Sequence, residues 1–370
     1  MFRTAYRLPF KVLGIPILLD FSLLIALPLI AWLIAMQIRW FVATTHLPVN
    51  IAALEHGWMP YWLGLVAAVG LFTSVVIHEV MHAVVSRSYG IEVKAITLWI
   101  LGGMAQMEQM PRQRGAEALV AIAGPITSFV LAVICWILLR AIPHTAPAAE
   151  FVFAYLAVTN LVLAIFNLVP AIPLDGGRVL RSLLALRMSR PRATQISVSI
   201  SRALAILLGL WGLWTLNIFL IFIAIFVYVA ANAELQQILI GGMLEGITIG
   251  DLMTREVKTV TPDLTVYELS SKMIREHVSG YPVVNDHLLG IVTLRNIQGA
   301  QANARVSQVM SPSAPVIGQH VPAAEALIRM SNGSSRLIVQ DDHGQMVGII
   351  TRRDLLRAVE VRSAMYMPGE

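Results

Sequence analysis

VVIHEVMHAVV, residues Val75 to Val85, places two imidazoles and a carboxylate inside an apolar run. The run extends from Tyr61 to Val85, and about 20 mostly apolar residues suffice to cross a bilayer. Ionisable side chains at that depth are costly, so each of them needs a reason. His78 and His82 stand four apart and therefore share one helical face. Two neutral imidazoles on one face can hold a zinc ion, and the intervening Glu79 can then serve as general base towards water. The same three residues also fit a solvated helix end beside Arg87.

The surrounding composition supports the membrane setting. Of 370 residues, 57% are hydrophobic and 13% charged, with a mean hydropathy of +0.71; an ordinary soluble domain carries about 25% charged residues. The apolar excess lies before residue 240 or so, and from Ile247 onward the composition is that of a soluble domain. Cys135 is the single cysteine, so no intrachain disulfide forms. The net charge of +5 resides in arginines beside apolar runs, where such residues set topology, and no nucleic-acid partner is expected. The first apolar run reads as a retained span and not as a signal peptide.

Six stretches have the length of a span: Ile17 to Ile38, Tyr61 to Val85, Glu117 to Leu139, Phe151 to Leu174, Val198 to Trp214 and Ile218 to Leu235. The last two are short and read as a helical hairpin joined at Thr215-Leu216-Asn217. Arg3, Arg7 and Lys11 precede the first span. Arg87, Lys94, Arg112 and Arg114 follow the second, and Arg178, Arg181, Arg187, Arg190, Arg192 and Arg202 follow the fourth. Basic residues mark cytoplasmic loops, so this alternation agrees with six spans and with both termini on the cytoplasmic side of the cell membrane.

Ile91 to Met110, IEVKAITLWILGGMAQMEQM, is apolar yet carries Glu92, Lys94 and the pair Gly102-Gly103. Its β-branched start and central glycines predict a β-hairpin dipping into the membrane, where irregular backbone needs shielding by protein or a cavity. A cytoplasmic loop with one buried helical turn is the alternative. A catalytic zinc takes three protein ligands and keeps a position open. The fourth span ends in NLVPAIPLDGGRVL (Asn167 to Leu180), on the same side as His78. Pro170 and Pro173 should break the helix, and Asp175 follows them. Asp175 is either the third ligand or the cap of a helix starting near Arg178. Asn160 and Asn167, seven apart on one helical face, can bind a substrate backbone or bridge helices.

The pairing of HEVMH in an early span with NLVPAIPLDGG in a later one resembles the site-2 protease family of intramembrane zinc metalloproteases. GGMAQM (Gly102 to Met107) and AGPITS (Ala123 to Ser128) resemble it too, and the likeness spans residues 10 to 240 or so. It implies a Zn2+ ion held by His78, His82 and Asp175, with Glu79 as the base and Asn167 at a position of substrate engagement. It also implies that the hairpin pairs with unwound substrate, making Gly102, Gly103 and Met104 candidate substrate contacts. One departure is the Ala171 between Pro170 and Ile172, which leaves Asp175 in place. No inserted PDZ domain is visible.

The soluble part repeats itself. GIVTLRNIQ (Gly290 to Gln298) recurs 58 residues later as GIITRRDLL (Gly348 to Leu356), and DLMT (Asp251 to Thr254) recurs as QVMS (Gln308 to Ser311). Each copy alternates an amphipathic helix with short apolar strands, an α/β unit. The two copies resemble a CBS-domain pair, which implies an adenine-nucleotide site at Thr293 in the first copy and at Thr351 and Asp354 in the second. Asn296 stands where the first copy would have the aspartate, so at most one strong site is expected. A structural or homodimerising module without ligand is the alternative.

The expected architecture is thus a polytopic α-helical membrane protein, with six transmembrane helices and a membrane-associated β-hairpin, followed by a cytoplasmic α/β CBS pair. Residues 1–245 form the membrane metalloprotease domain, 246–303 the first CBS domain and 304–370 the second. Two function classes fit. One is a zinc endopeptidase in the bilayer that cuts single-span proteins, such as anti-sigma factors or signal-peptide remnants, near the cytoplasmic face. The other is a CBS-regulated transporter or channel in which His78, Glu79, His82 and Asp175 line an ion path. A glutamate between two ligands at i and i+4 serves hydrolysis and has no evident use in transport, so the endopeptidase is the expectation.

Overall fold

The computed structural model describes residues 6–99, 102–107, 113, 115–143, 145–285, 287–331 and 336–366. The chain divides into two compact units, Met1–Gln236 and Gln237–Glu370. The first opens with strands β1 (Tyr6–Val12) and β2 (Ile15–Leu19), antiparallel about Leu13 and Gly14, which both have positive φ. Asp20 then accepts the N–H of Ser22 at 3.0 Å and caps helix α1 (Phe21–Thr45). One helical turn, α2 (Ile51–Leu54), leads to α3 (Met59–Ser88), which starts at a proline as helices tolerate. Strands β3 (Val93–Trp99) and β4 (Gly102–Met107) follow. Then come α4 (Ala116–Ala141), α5 (Pro147–Asn167), the short α6 (Asp175–Leu184), α7 (Arg190–Trp214) and α8 (Ile218–Met243).

Helices α1, α3, α4, α5, α7 and α8 are long and apolar enough to cross a membrane. Their outward faces carry large apolar side chains, among them Trp32, Phe129, Trp136, Trp211 and Phe222, a surface suited to lipid and not to water. Inside, small residues let backbones approach. A Cβ on Gly64 of α3 would lie 2.1 Å from the Ala31 carbonyl oxygen of α1, and Ala67, Ala68, Phe41 and Phe151 fill the contact around it. The strands form one sheet in the order β1-β2-β3-β4, with β2 and β3 parallel and the other pairs antiparallel. Ile15, Val93 and Ile96 of the sheet pack on Val80 and Ala83 of α3. The sheet therefore lies along the helix segment that carries the HExxH residues, with β4 at its edge.

Several boundaries differ from the sequence expectation. The first apolar run begins as strand β2, because Ile17 to Leu19 pair with Ile96 to Leu98 before Asp20 starts the helix. The hairpin is present but belongs to a four-stranded sheet. Gly102 and Gly103 lie within β4, opposite Trp99 and Leu98, and not in the turn; residues 100–101, Arg3, Arg112 and Arg114 lie outside the described residues. The fourth span stops at Asn167, not Leu174, because the proline-bearing segment beyond it leaves the helix. The last two spans are not short: α7 starts at Arg190 and α8 reaches Met243, 25 and 26 residues. Polar residues in the end turns lowered their hydropathy without opposing helix.

The second unit holds the two repeats. The first comprises α9 (Ile249–Leu252), α10 (Val266–Glu276), β5 (Gly280–Asn285), β6 (His287–Thr293) and α11 (Leu294–Ile297). The second comprises α12 (Val306–Val309), β7 (Val316–Gly318), α13 (Ala323–Ser331), β8 (Arg336–Gln340), β9 (Met346–Thr351) and α14 (Arg352–Tyr366). Each leading segment crosses to the other repeat. Thr254 bridges Ile349 of β9, and Ser311 bridges Ile291 of β6. Ile249 packs with Ile317, Leu337 and Ile350, while Val306 packs with Leu269, Tyr281 and Val292.

The α1–α3 crossing gives a direct test. Gly64→Val should force the two backbones apart and cost about 2 kcal/mol or more, in the range of overpacking. This is read as a lower apparent melting temperature of the purified protein in detergent. Gly241→Ala in α8, whose Cβ would meet nothing within 4 Å, should leave the melting temperature unchanged or slightly raised.

Candidate metal centre

His78 and His82 lie on the buried face of α3, and Asp175 is the first residue of α6. Their ligand atoms form a nearly equilateral triangle. His78 Nε2 is 3.1 Å from His82 Nε2, and Asp175 Oδ2 is 3.2 Å from each. Atoms bound at about 2.0–2.1 Å to one tetrahedral ion lie roughly 3.3 Å apart, so these edges match a shared zinc. The donor chemistry agrees. His82 Nδ1 lies 2.7 Å from the Val120 carbonyl oxygen. A carbonyl only accepts, so Nδ1 carries the proton and Nε2 presents a lone pair to the triangle. With both Nε2 atoms unprotonated, the three groups form a donor set that one cation could share.

Gly124 of α4 leaves room for an ion there. A Cβ there would stand 2.3 Å from His82 Nε2 and 2.5 Å from His78 Nε2. The loop that delivers Asp175 is equally specific. Beyond Asn167 the chain bends, Ile172 N–H donates to Ser201 Oγ of α7 at 2.8 Å, and α6 folds back on the loop. Cβ atoms at Gly176 and Gly177 would meet the Leu168 carbonyl oxygen at 2.3 Å and Ile172 N at 2.4 Å, so the pair Gly176-Gly177 lets the first turn of α6 seat closely. Asp175 makes no cap with its own helix; its carboxylate turns to the histidines.

Glu79 is half-buried, next to the triangle on α3. A Cβ on Gly103 of β4 would lie 2.4 Å from Glu79 Cγ and 3.3 Å from its Oε1, so the edge strand passes directly over this carboxylate. Gly102 beside it has φ 132°, a backbone state that side chains disfavour. Met104 pairs with Thr97 in the same strand, and its side chain lies outside what is described. The asparagines sit elsewhere. Asn160 is wholly buried and donates to Ser74 Oγ of α3 at 3.0 Å and to the Leu156 carbonyl. Asn167 donates to the Leu163 carbonyl of its own helix.

Two parts of the centre were not anticipated. Arg181 of α6, expected to mark topology, is 1% exposed. It binds Glu117 of α4, with Nε at 3.0 Å from Oε1, and Glu234 of α8 at 2.5 Å. Ser182 Oγ also accepts the Ala118 N–H at 3.1 Å. The helix that carries Asp175 is thereby tied to α4 and α8. The available signal was the pair of isolated acids, Glu117 and Glu234, in apolar helices, since such charges require a partner. The second is Ser128, whose Oγ lies 2.9 Å from His78 Nδ1.

In the CBS pair, Asp354 Oδ2 accepts the N–H and hydroxyl of Thr351 at 2.8 and 2.7 Å. Asn296 Oδ1 does the same for Thr293 at 3.0 and 2.6 Å, while its amide donates to Ser311 Oγ. Both residues are helix-capping partners, so the Asp-for-Asn difference changes charge and not local structure.

The sequence matches peptidase family M50 over residues 66–149 and 142–208, and the CBS domain over 249–303 and 306–361. It is 31% identical over 353 residues to a zinc metalloprotease of Methanocaldococcus jannaschii, covering 95% of each chain. It is 28% identical over 183 residues to stage IV sporulation protein FB of Bacillus subtilis, 46% of this chain and 62% of that one. Among solved structures, a site-2 protease from Methanocaldococcus jannaschii is 32% identical and covers 62% of this chain and 94% of that chain, with a TM-score of 0.42.

Gly124→Ala tests the fit of the ion. The added methyl would crowd both Nε2 atoms, and zinc content measured by atomic emission should fall from about one per chain to near zero, since two of the three protein ligands would be displaced. Zinc retained at the wild-type level would mean that the ion does not sit in the triangle.

Proposed function

The chain belongs to the site-2 protease family of zinc metalloproteases, peptidase family M50, and on that premise we propose that it cuts transmembrane segments of single-span proteins near the cytoplasmic face of the cell membrane. The observation that carries this reading is the meeting of His78, His82 and Asp175 beside a glutamate over which an edge strand passes. His78, His82 and Asp175 would hold the zinc, which when bound supplies a Lewis acid that polarises a carbonyl and acidifies water. Glu79 takes a proton from the attacking water at its carboxylate and passes it to the leaving nitrogen of the peptide.

A helical substrate hides its carbonyls in its own hydrogen bonds and must unwind to be cut. The outer edge of β4, at Gly102, Gly103 and Met104, can hold the unwound segment by strand addition. The small residues there bring that segment within reach of Glu79. The substrates fitting such a site are single-span regulators of the anti-sigma type and signal-peptide remnants. The cytoplasmic assignment rests on the basic residues around α6 and α7. The CBS pair would adjust the enzyme through an adenine nucleotide bound at Thr351 and Asp354, with Thr293 a weaker counterpart.

Glu79→Gln keeps the shape of the side chain and removes the base. Zinc should stay at about one per chain while cleavage of a co-expressed single-span substrate falls by a factor of about 100 or more. Asp175→Ala should lose zinc and cleavage together. Near wild-type cleavage by the Glu79→Gln enzyme would exclude Glu79 as the base.

For the CBS pair, Asp354→Asn is the informative change, since Asn296 shows that asparagine keeps the cap. Titration calorimetry of the full-length protein with ATP, ADP and AMP should show heat that this variant largely removes. Absence of binding at millimolar nucleotide would reassign the module to dimerisation or substrate docking.

A further inference from the structure

One column of α4 faces the two candidate ligands on α3. Val120, Gly124 and Ser128 are spaced four apart, so they stack along a single face of the helix. The Val120 carbonyl contacts His82 Nδ1, Gly124 leaves the space between the two Nε2 atoms, and Ser128 Oγ contacts His78 Nδ1. The first and last contacts differ in kind. A carbonyl accepts only and therefore fixes the His82 tautomer by itself. A serine hydroxyl can donate or accept. If it donated to His78 Nδ1, the ring proton would sit on Nε2 and close that nitrogen to a metal.

We propose that Ser128 is a positioning residue whose hydroxyl accepts the Nδ1–H of His78 and so holds His78 Nε2 bare and aimed at the ion. The inference rests on reading His78 as a zinc ligand. Ser128 is fully buried, as is most of the His78 ring, so water does not readily replace a lost acceptor. The nearby hydroxyl of Ser74, one turn before His78 on α3, is already engaged: it accepts from Asn160 Nδ2 and donates to the Gly70 carbonyl, both at 3.0 Å. Ser128 Oγ, 2.9 Å from His78 Nδ1, is thus placed to orient the ring. Partners of this kind typically change metal affinity by about 10–100-fold when removed.

The test uses the full chain in detergent and reads zinc affinity by competition with a chromophoric chelator, alongside the melting temperature of chelator-treated, zinc-free protein. Ser128→Ala should weaken zinc binding by about 10–100-fold and leave the zinc-free melting temperature as in the wild type. Ser128→Thr, which keeps the hydroxyl, should recover most of the affinity. In a His78→Ala background, Ser128→Ala should add no further loss. Wild-type affinity in Ser128→Ala overturns the inference. So does a loss that the His78→Ala background leaves undiminished, or one matched by an equal fall in zinc-free stability, since either would mark a packing role. Wild-type zinc binding by His78→Ala alone would instead remove the ligand assignment on which the inference stands, and the two failures are told apart by that single variant.

Discussion

Three metal-ligating side chains, His78, His82 and Asp175, are held with their ligand atoms within 3.2 Å of one another, an arrangement that two facing lone pairs and a carboxylate would not tolerate without a shared cation or proton. The bilayer half of the molecule is organised to hold that arrangement in place. Two of the donors are placed by one turn of α3, which costs nothing beyond forming a helix. The third comes from a position 97 residues away from His78 and has to be delivered. The proline-bearing bend, the paired glycines and the short α6 accomplish the delivery, while α4 supplies both the gap for an ion and the groups that turn the rings.

Charge burial is the second theme, and the same helix carries it. Arg181 is enclosed by carboxylates from α4 and α8. A lone buried charge carries a desolvation penalty of several kcal/mol, and a pair recovers it only when geometry and hydrogen bonding are good. Such a contact adds little net stability, but it is selective: α6 cannot slide or rotate without separating it. Positional precision at Asp175 is therefore set on the far side of its helix, six residues away. The sheet contributes on the opposite flank, where residues of β2 and β3 lock onto α3 and bring β4 over Glu79.

Much of this is legible in the sequence. The spacing of His78 and His82, the acid after a broken span and the six apolar runs depend on local chemistry, and each is visible in a short window. What escaped was contact between windows. Strand β2 and helix α1 form one apolar run broken only by Asp20, and hydropathy does not separate strand from helix within such a run. Serines in apolar helices usually bond their own backbone, so nothing distinguished Ser128 from Ser199. Arg181 looked like its neighbours Arg187 and Arg192, which are exposed, because sequence shows a charge without showing its partner. Asn160 and Asn167 shared a face on paper, yet one ties α5 to α3 and the other bonds its own turn.

The crossing of leading segments in the C-terminal unit bears on how that unit folds. The segment before each repeat completes the hydrophobic interior of the other, through Ile249 in one direction and Val306 in the other. Neither half closes its interior alone, so these contacts make the pair the smallest unit with a complete core. A chain ending between the copies would leave the first interior open, without Val306.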